Sequence, residues 1–313
     1  MFRICRFGQR VVAVALLAAC ATAQSDVSQS VERCLLDIML TNDDGWNAPG
    51  IQAVRGALLD AGHRVTLVGP LEQQSGRGGA INTRVGTEVA VVEQAPGVWS
   101  VDGTPTDAVK AGLGAILSDN WPDLIVSGAN FGPNLGQEGV HNSGTLGATL
   151  AAIYDGLPAI AISTGIDIEE SETSPPFKST FAGFETSAAI VVNVIDSLTA
   201  RYGCDDIMPD NLALNINVPV HTESIAGIRY APLSRLNLFR MHWSWSETDG
   251  KALIGYRETD LSLGDPGDDV NLFALGYVTV TPINGDVTIE ALPSSVGLPS
   301  QAINLLPSGQ APQ

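Results

Sequence analysis

The chain has 313 residues and a formal net charge of −18, from 16 Lys and Arg against 34 Asp and Glu. So acidic a protein argues against binding nucleic acid duplexes, whose affinity comes mostly from neutralising phosphates. Any phosphate-bearing ligand has to be held locally, by a metal ion or by backbone N–H groups. With 44% hydrophobic and 16% charged residues, the composition is that of a globular domain and not of a disordered one.

The N-terminus reads as a secretory signal over residues 1–23. Arg3, Arg6 and Arg10 form a basic start, Val11–Leu17 an apolar core, and Ala21-Thr22-Ala23 a small-residue end. The apolar run is too short for a membrane span, which needs about 20 such residues. Cleavage after Ala23 removes three positive charges and leaves a mature chain of about −21. Leu17-Ala18-Ala19-Cys20 is similar to a lipobox, so a lipoprotein anchored through Cys20 is the alternative to a periplasmic or secreted protein. After export, Cys34 and Cys204 either pair, as an oxidising compartment allows, or stay as buried thiols. Spacing does not choose between these, because disulfide geometry is local. No paired Cys/His spacing points to zinc.

After a short lead (24–34), the length suits one large α/β domain with an elaboration or two small domains. Read as one domain it spans 35–290, with a core over about 35–205 and a β-rich extension over about 206–290. Leu35–Leu40 is a near-continuous apolar run, as in a strand covered on both faces. Asn47-Ala48-Pro49-Gly50 offers a helix start. Ile51, Val54, Leu58 and Leu59 follow at helical spacing, and Gly62 ends the helix. Val65–Val68 is the next strand, completing a βαβ unit of about 35 residues.

The alternation continues with a helix over Thr106–Leu117, a strand at Leu124–Val126, a helix at Gly144–Tyr154, a strand at Ala159–Ile162 and a helix at Glu185–Leu198. Such repeats imply a mostly parallel sheet with right-handed crossovers. Asp167–Phe181 reads as an acidic surface excursion. Beyond Pro209, Leu212–Val218, Gly227–Ala231 and Tyr277–Thr281 read as strands, and Met241–Trp245 as an extended or hairpin segment. Residues 291–313 form a loose tail rich in Pro, Gly and Gln.

Ligands of open parallel sheets bind outside the carboxyl ends of the strands, so the residues after each strand carry the chemistry. Asn42-Asp43-Asp44 follows the first, Gln73-Gln74-Ser75-Gly76 the second, and Ser127-Gly128-Ala129-Asn130 the Leu124–Val126 strand. Adjacent carboxylates repel, and each titrates upward unless a positive charge lies between them. Asp43, Asp44, Ser75 and Asn130 therefore make a candidate all-oxygen site for one divalent ion, Mg²⁺, Mn²⁺ or Ca²⁺. His141-Asn142-Ser143-Gly144-Thr145 then opens a helix, whose first N–H groups and the Ser143 and Thr145 hydroxyls suit an anion. His141 is either a polar loop residue or a proton donor. No G-x-G-x-x-G follows the first strand, and no P-loop, H-E-x-x-H or G-x-S-x-G occurs. Dinucleotide oxidoreductases, P-loop NTPases, zincins and α/β-hydrolases lose ground accordingly.

These residues resemble the survival protein SurE family of metal-dependent 5'/3'-nucleotidases and acid phosphatases. The matching motifs include Leu40–Gly45 with Ala48–Ile51, Gln74-Ser75-Gly76, Gly103–Asp107 and Ser127–Asn130. Gly132, Asn134-Leu135-Gly136, Ser143-Gly144-Thr145, Asn215–Pro219 and Gly276–Pro282 match as well. The resemblance implies a three-layer α/β/α Rossmann-like core with a C-terminal extension that builds a homodimer or homotetramer. It further implies one divalent ion, Mg or Mn, on Asp43, Asp44, Ser75 and Asn130, and a phosphate pocket of Asn134, Ser143, Gly144 and Thr145. Asp43 and Asp44 are then the catalytic groups of a phosphomonoesterase acting on nucleoside 5'- and 3'-monophosphates. Attack by water and attack by an Asp carboxylate are both open. The family's acidic residue and Tyr before Ser-Gly-Thr are replaced here by Gln137–Asn142, which leaves a non-catalytic exported nucleotide-binding protein as the alternative.

Overall fold

The computed structural model describes residues 34–209, 211–221 and 225–287. The expected signal segment, Cys20 and the tail from 291 lie outside them. A nine-stranded sheet organises the described domain. Its strands are β1 (Asp37–Thr41), β2 (Arg64–Pro70), β3 (Val91–Ala95), β4 (Val98–Val101), β5 (Leu124–Phe131), β6 (Ala159–Thr164), β7 (Ala213–Val218), β8 (Gly227–Tyr230) and β11 (Tyr277–Ile283). Their spatial order is β3-β4-β2-β1-β5-β6-β7-β11-β8. Strands β4, β2, β1, β5, β6 and β7 run parallel, while β3 and β11 pair antiparallel to their neighbours β4 and β7.

The apolar run of β1 is continuous because both of its faces are covered. Ile38 and Leu40 join one core with Ile51, Val54 and Leu58 of α1 (Pro49–Asp60) and Phe184, Val191 and Ile195 of α5 (Lys178–Tyr202). Met39, between them, faces the other core, with Ala108 and Val109 of α2 (Pro105–Ala111) and Ala148 and Ile153 of α4 (Gly144–Tyr154). This is a three-layer α/β/α arrangement, and fully burying each such aliphatic side chain contributes about 1.5–3 kcal/mol. Helix α2 starts with a capping box between Thr104 and Asp107, and Asp107 also accepts hydrogen bonds from the N–H and side chain of Asn82. The Gly103–Asp107 motif is thus architectural.

Gly50, in the first turn of α1, lies so close to β5 that a Cβ there would sit 2.0 Å from the Ala129 carbonyl oxygen. Only a residue without a side chain lets this helix seat against this strand. At the other end of the sheet, Cys34 and Cys204 form a disulfide with a Cα–Cα distance of 5.4 Å, spanning 170 residues of chain. It ties the segment before β1 to the segment after α5.

Several elements differ from the sequence reading. Strand β5 extends to Phe131, so Asn130 lies within it, past an irregularity in its pairing with β6 between Ser127 and Asn130. Helix α5 begins at Lys178, not Glu185, because Thr180 and Phe184 are buried against the central strands as core. The expected excursion at Asp167–Phe181 therefore shrinks to a 3-10 turn (Ile168–Glu172) and a short loop. The helix expected over Thr106–Leu117 ends at Ala111 and continues as a π turn over Gly112–Ile116. Two short helices, α3 (Gly136–Asn142) and α6 (Asp269–Ala274), and the β3–β4 hairpin carry too few periodic residues to be read in advance. A separate antiparallel hairpin, β9 (Phe239–Ser246) with β10 (Lys251–Glu258), accounts for the aromatic stretch.

Candidate active site

The carboxyl ends of β1, β2 and β5 bring the predicted residues to one rim. Asp43 lies two residues past the end of β1 and is almost fully buried. Its Oδ1 accepts a hydrogen bond from Thr145 Oγ1 at 2.6 Å. The backbone N–H groups of Gly144 and Thr145, at the start of α4, also face this carboxylate. Unpaired N–H groups and the helix dipole favour a negative charge at that position. Burial nevertheless dominates and holds the Asp43 carboxyl above its ordinary range.

Gly144 is required sterically, since a Cβ there would lie 2.7 Å from that of Asp43 and 2.9 Å from its Oδ2. Asp44 turns the other way along the rim, its Oδ2 accepting from Phe131 N at 2.8 Å. Burial, then the charge of Asp43, push the Asp44 carboxyl up to about 7. Asn130 is the residue before Phe131, so Asp44 and Asn130 share one end of β5. The Asn130 amide is oriented by its own Nδ2, which donates to the Gly132 carbonyl at 2.7 Å. Ser75 lies on an exposed loop, tethered next door by a hydrogen bond from Gln74 N to the Asp43 carbonyl at 2.7 Å.

The expected anion pocket is partly committed to the protein itself. Ser143 is the N-cap of α4, its Oγ accepting from Leu146 N at 3.2 Å, which leaves its hydroxyl hydrogen free to donate. The Thr145 hydroxyl hydrogen, in contrast, is spent on Asp43, so Thr145 acts by orienting that carboxylate. Asn134 is the centre of a buried network. Its Nδ2 donates to Ser163 Oγ at 2.8 Å and approaches Thr145 Oγ1 at 3.4 Å. Its backbone is clamped by Asn217, whose Oδ1 accepts from Asn134 N at 2.7 Å, and by Asn215, whose Nδ2 donates to Asn134 O at 2.9 Å. Asn215 and Asn217 were not read as site residues from the sequence. Two amides in an otherwise buried strand are themselves a signal, because buried polar groups have partners.

Oxygen donors dominate this rim. Among the described residues no group of three or more His, Cys, Asp or Glu side chains converges, so any ion is held by two carboxylates supplemented by neutral oxygens. Ion pairs among the described residues join Arg64 to Asp37 and Lys110 to Asp155, His221 contacts Asp167, and none of these reaches Asp43 or Asp44. Two adjacent buried carboxyls with raised pKa values and no cationic side chain fit a hard divalent cation. Surface cavities of about 270 and 230 Å³ lie at the opposite rim, beside Asp37 and Arg64 and beside Cys204–Met208. Neither is lined by Asp43, Asp44, Ser75 or Asn130.

The family model described as Survival protein SurE matches residues 38–239. A "5'-nucleotidase SurE" of Prochlorococcus marinus (strain MIT 9313) is 37% identical over 204 residues, 64% of this chain and 69% of that protein. The "5'-nucleotidase SurE" of Gloeobacter violaceus is 32% identical over 262 residues, 81% of this chain and 91% of that one. Among solved structures, the crystal structure of the Sure protein from Aquifex aeolicus superposes with a TM-score of 0.66 at 29% identity. That match covers 80% of this chain and 94% of the Aquifex chain.

Proposed function

The chain belongs to the survival protein SurE family and is a SurE-type hydrolase, and from that premise we propose that it is a metal-dependent phosphomonoesterase that converts nucleoside 5'-monophosphates, and 3'-monophosphates, to nucleoside and phosphate. The observation that carries the reading is the Asp43–Asp44 pair, fixed by Thr145 on one side and by the Phe131 N–H on the other. Asp43, Asp44, Ser75 and Asn130 would hold the ion, with Mg or Mn best suited to an all-oxygen set. When bound there, such an ion supplies Lewis-acid polarisation of a phosphoryl oxygen and a more acidic water.

The protein's own groups do the rest. The Ser143 hydroxyl is free to donate to a phosphate oxygen. Asn134, held by Asn215 and Asn217, braces the same wall through its Nδ2 bonds to Ser163 and Thr145. Donors fixed before substrate arrives stabilise developing charge without reorganising. Thr145 and Phe131 N set the directions of the two carboxylates. Release of phosphate from 5'-AMP, with Mn²⁺ and then with EDTA, tests the reading. Tight 5'-AMP binding without release would instead leave an exported binding protein.

The same reading includes export to the periplasm or medium, either free or anchored through Cys20. The Cys34–Cys204 disulfide supports an oxidising compartment. It also includes assembly as a homodimer or homotetramer through the C-terminal part. Here the support is the β9–β10 hairpin, whose register puts Met241, Trp243, Trp245, Ala252, Ile254 and Tyr256 on one face, all exposed. A two-stranded hairpin is marginal alone in water, and an apolar patch of that kind marks a contact surface.

A further inference from the structure

Phe131 has two roles in space. Its N–H holds Asp44, and its ring opens a cluster of four aromatic side chains on the adjoining rim. The Phe131 ring centroid lies 5.2 Å from that of Phe177, at an interplanar angle of 87°, and 5.7 Å from that of Phe181. Phe184 completes the group, 5.9 Å from Phe181. These rings are not equally buried. Phe184 is 3% exposed and packs beneath Gly50, while Phe181 is 45% exposed and Phe131 and Phe177 are partly open. An anchor for the start of α5 needs only the buried ring; the open ones leave an aromatic surface beside the catalytic carboxylates.

That surface is held in place. The Phe177 N–H donates to the Glu170 carbonyl at 3.2 Å, Ser179 N and Oγ both donate to Glu170 Oε2, and Thr180 Oγ1 donates to the Gly165 carbonyl at 2.9 Å. The 3-10 turn before it is capped by Asp167, which also contacts His221 Nε2 at 3.2 Å. A preorganised aromatic face loses little entropy when a flat ligand stacks on it. The α4 start with Ser143 lies on the face of the sheet opposite α5, so the carboxylates stand between the phosphate-side donors and the aromatic rings.

We propose that Phe131, Phe177 and Phe181 form the nucleobase platform of this enzyme, stacking the base of a nucleotide while its phosphate lies at Asp43 and Asp44. This rests on the phosphomonoesterase reading above and predicts a preference for nucleotides over simple sugar phosphates. Phe181 is the residue to change, because it is the most open ring and makes no hydrogen bond to the carboxylates.

The experiment compares kcat/KM for 5'-AMP and for ribose 5-phosphate, which share the phosphate and sugar and differ only in the base. In Phe181→Leu, which keeps apolar bulk but loses the π face, the ratio of the two falls about tenfold, within the range for loss of one base–aromatic stack. In Phe181→Tyr the ratio is retained. An unchanged ratio in Phe181→Leu, or an equal fall for both substrates, overturns the platform. Wild-type protein that hydrolyses both substrates equally also overturns it, whereas wild-type protein that releases phosphate from neither overturns the phosphomonoesterase reading itself.

Discussion

Thr145 Oγ1 lies 2.6 Å from Asp43 Oδ1, joining the first turn of α4 to the end of β1 across 102 residues of sequence. A hydrogen bond to a buried charge is worth about 1.5–3 kcal/mol. Thr145→Val, nearly isosteric, should therefore lower kcat/KM for 5'-AMP by roughly 10- to 100-fold while circular dichroism stays unchanged. Asp43→Asn should lower it by more than about a thousandfold, since it removes a carboxylate that neutral groups do not replace. Activity within tenfold of wild type in Asp43→Asn would remove this residue from the chemistry.

The two carboxyls also predict how metal and pH interact. Asp44 rises from 3.8 to about 7 in the folded chain, first through burial and then through the charge of Asp43. Its folded pKa exceeds its unfolded one, so its favourable contribution is complete below pH 4 and is lost as pH rises through 7. The loss is on the order of 4 kcal/mol for a shift of this size. In EDTA, the urea midpoint should thus be higher at pH 5 than at pH 8. Adding Mn²⁺ should raise the midpoint most at pH 8, where the carboxylates are ionised and available to the ion. A midpoint indifferent to both variables would show that the pair is solvated and does not hold a cation.

Asn217 makes no contact with Asp43 or Asp44, yet it accepts from Asn134 N and donates to Asn134 O. Asn217→Ala frees the backbone that aims the Asn134 amide and strands a buried N–H. The expected result is a fall of about tenfold in kcat/KM together with a loss of roughly 1–3 kcal/mol in stability. Asn217→Asp, which when protonated keeps both the acceptor for Asn134 N and a donor for Asn134 O, should recover part of the activity at acid pH. Full activity in Asn217→Ala would make the brace purely architectural.

Reducing the Cys34–Cys204 bridge releases a loop of 170 residues. By loop-closure entropy alone, the cost is about 5 kcal/mol, an upper figure because reduced chains keep some structure. Cys34→Ser with Cys204→Ser should unfold at a lower temperature and keep its kcat, because both sulfurs lie at the rim away from Asp43. Equal melting temperatures with and without reductant would mean that the bridge does not form in solution.

Trp243→Glu with Ile254→Glu places charges on directly paired positions of the hairpin's apolar face. Multi-angle light scattering should report a single subunit for this variant and two or four for the wild type. A wild-type protein that already elutes as one subunit would assign the face to something other than a second copy.

The parts of this molecule that obey a short-range rule were legible in the sequence. Burial of β1 on two faces writes itself as an unbroken apolar run, and α1 is bounded by Pro49 and Gly62. The convergence of Asp43, Asp44 and Asn130 follows from strand ends sharing a rim. Where partners are far apart in sequence, reading failed. Nothing near Thr145 says that its hydroxyl donates to Asp43, and nothing near Asn130 says that β5 passes an irregularity after Ser127 and runs on to Phe131. The start of α5 was missed because Phe181 and Phe184 belong to an aromatic cluster assembled by tertiary packing, which local periodicity does not see.

The seating of α1 against β5 at Gly50 has a consequence for mutational surveys of this protein. Anything larger at that position must push the two elements apart, and Asn130 travels with the strand that is pushed. A screen for lost turnover would rank Gly50 beside Asp43, although it offers no proton, charge or ligand atom. Its contribution is clearance, and a spacer of that kind is easily mistaken for a reagent.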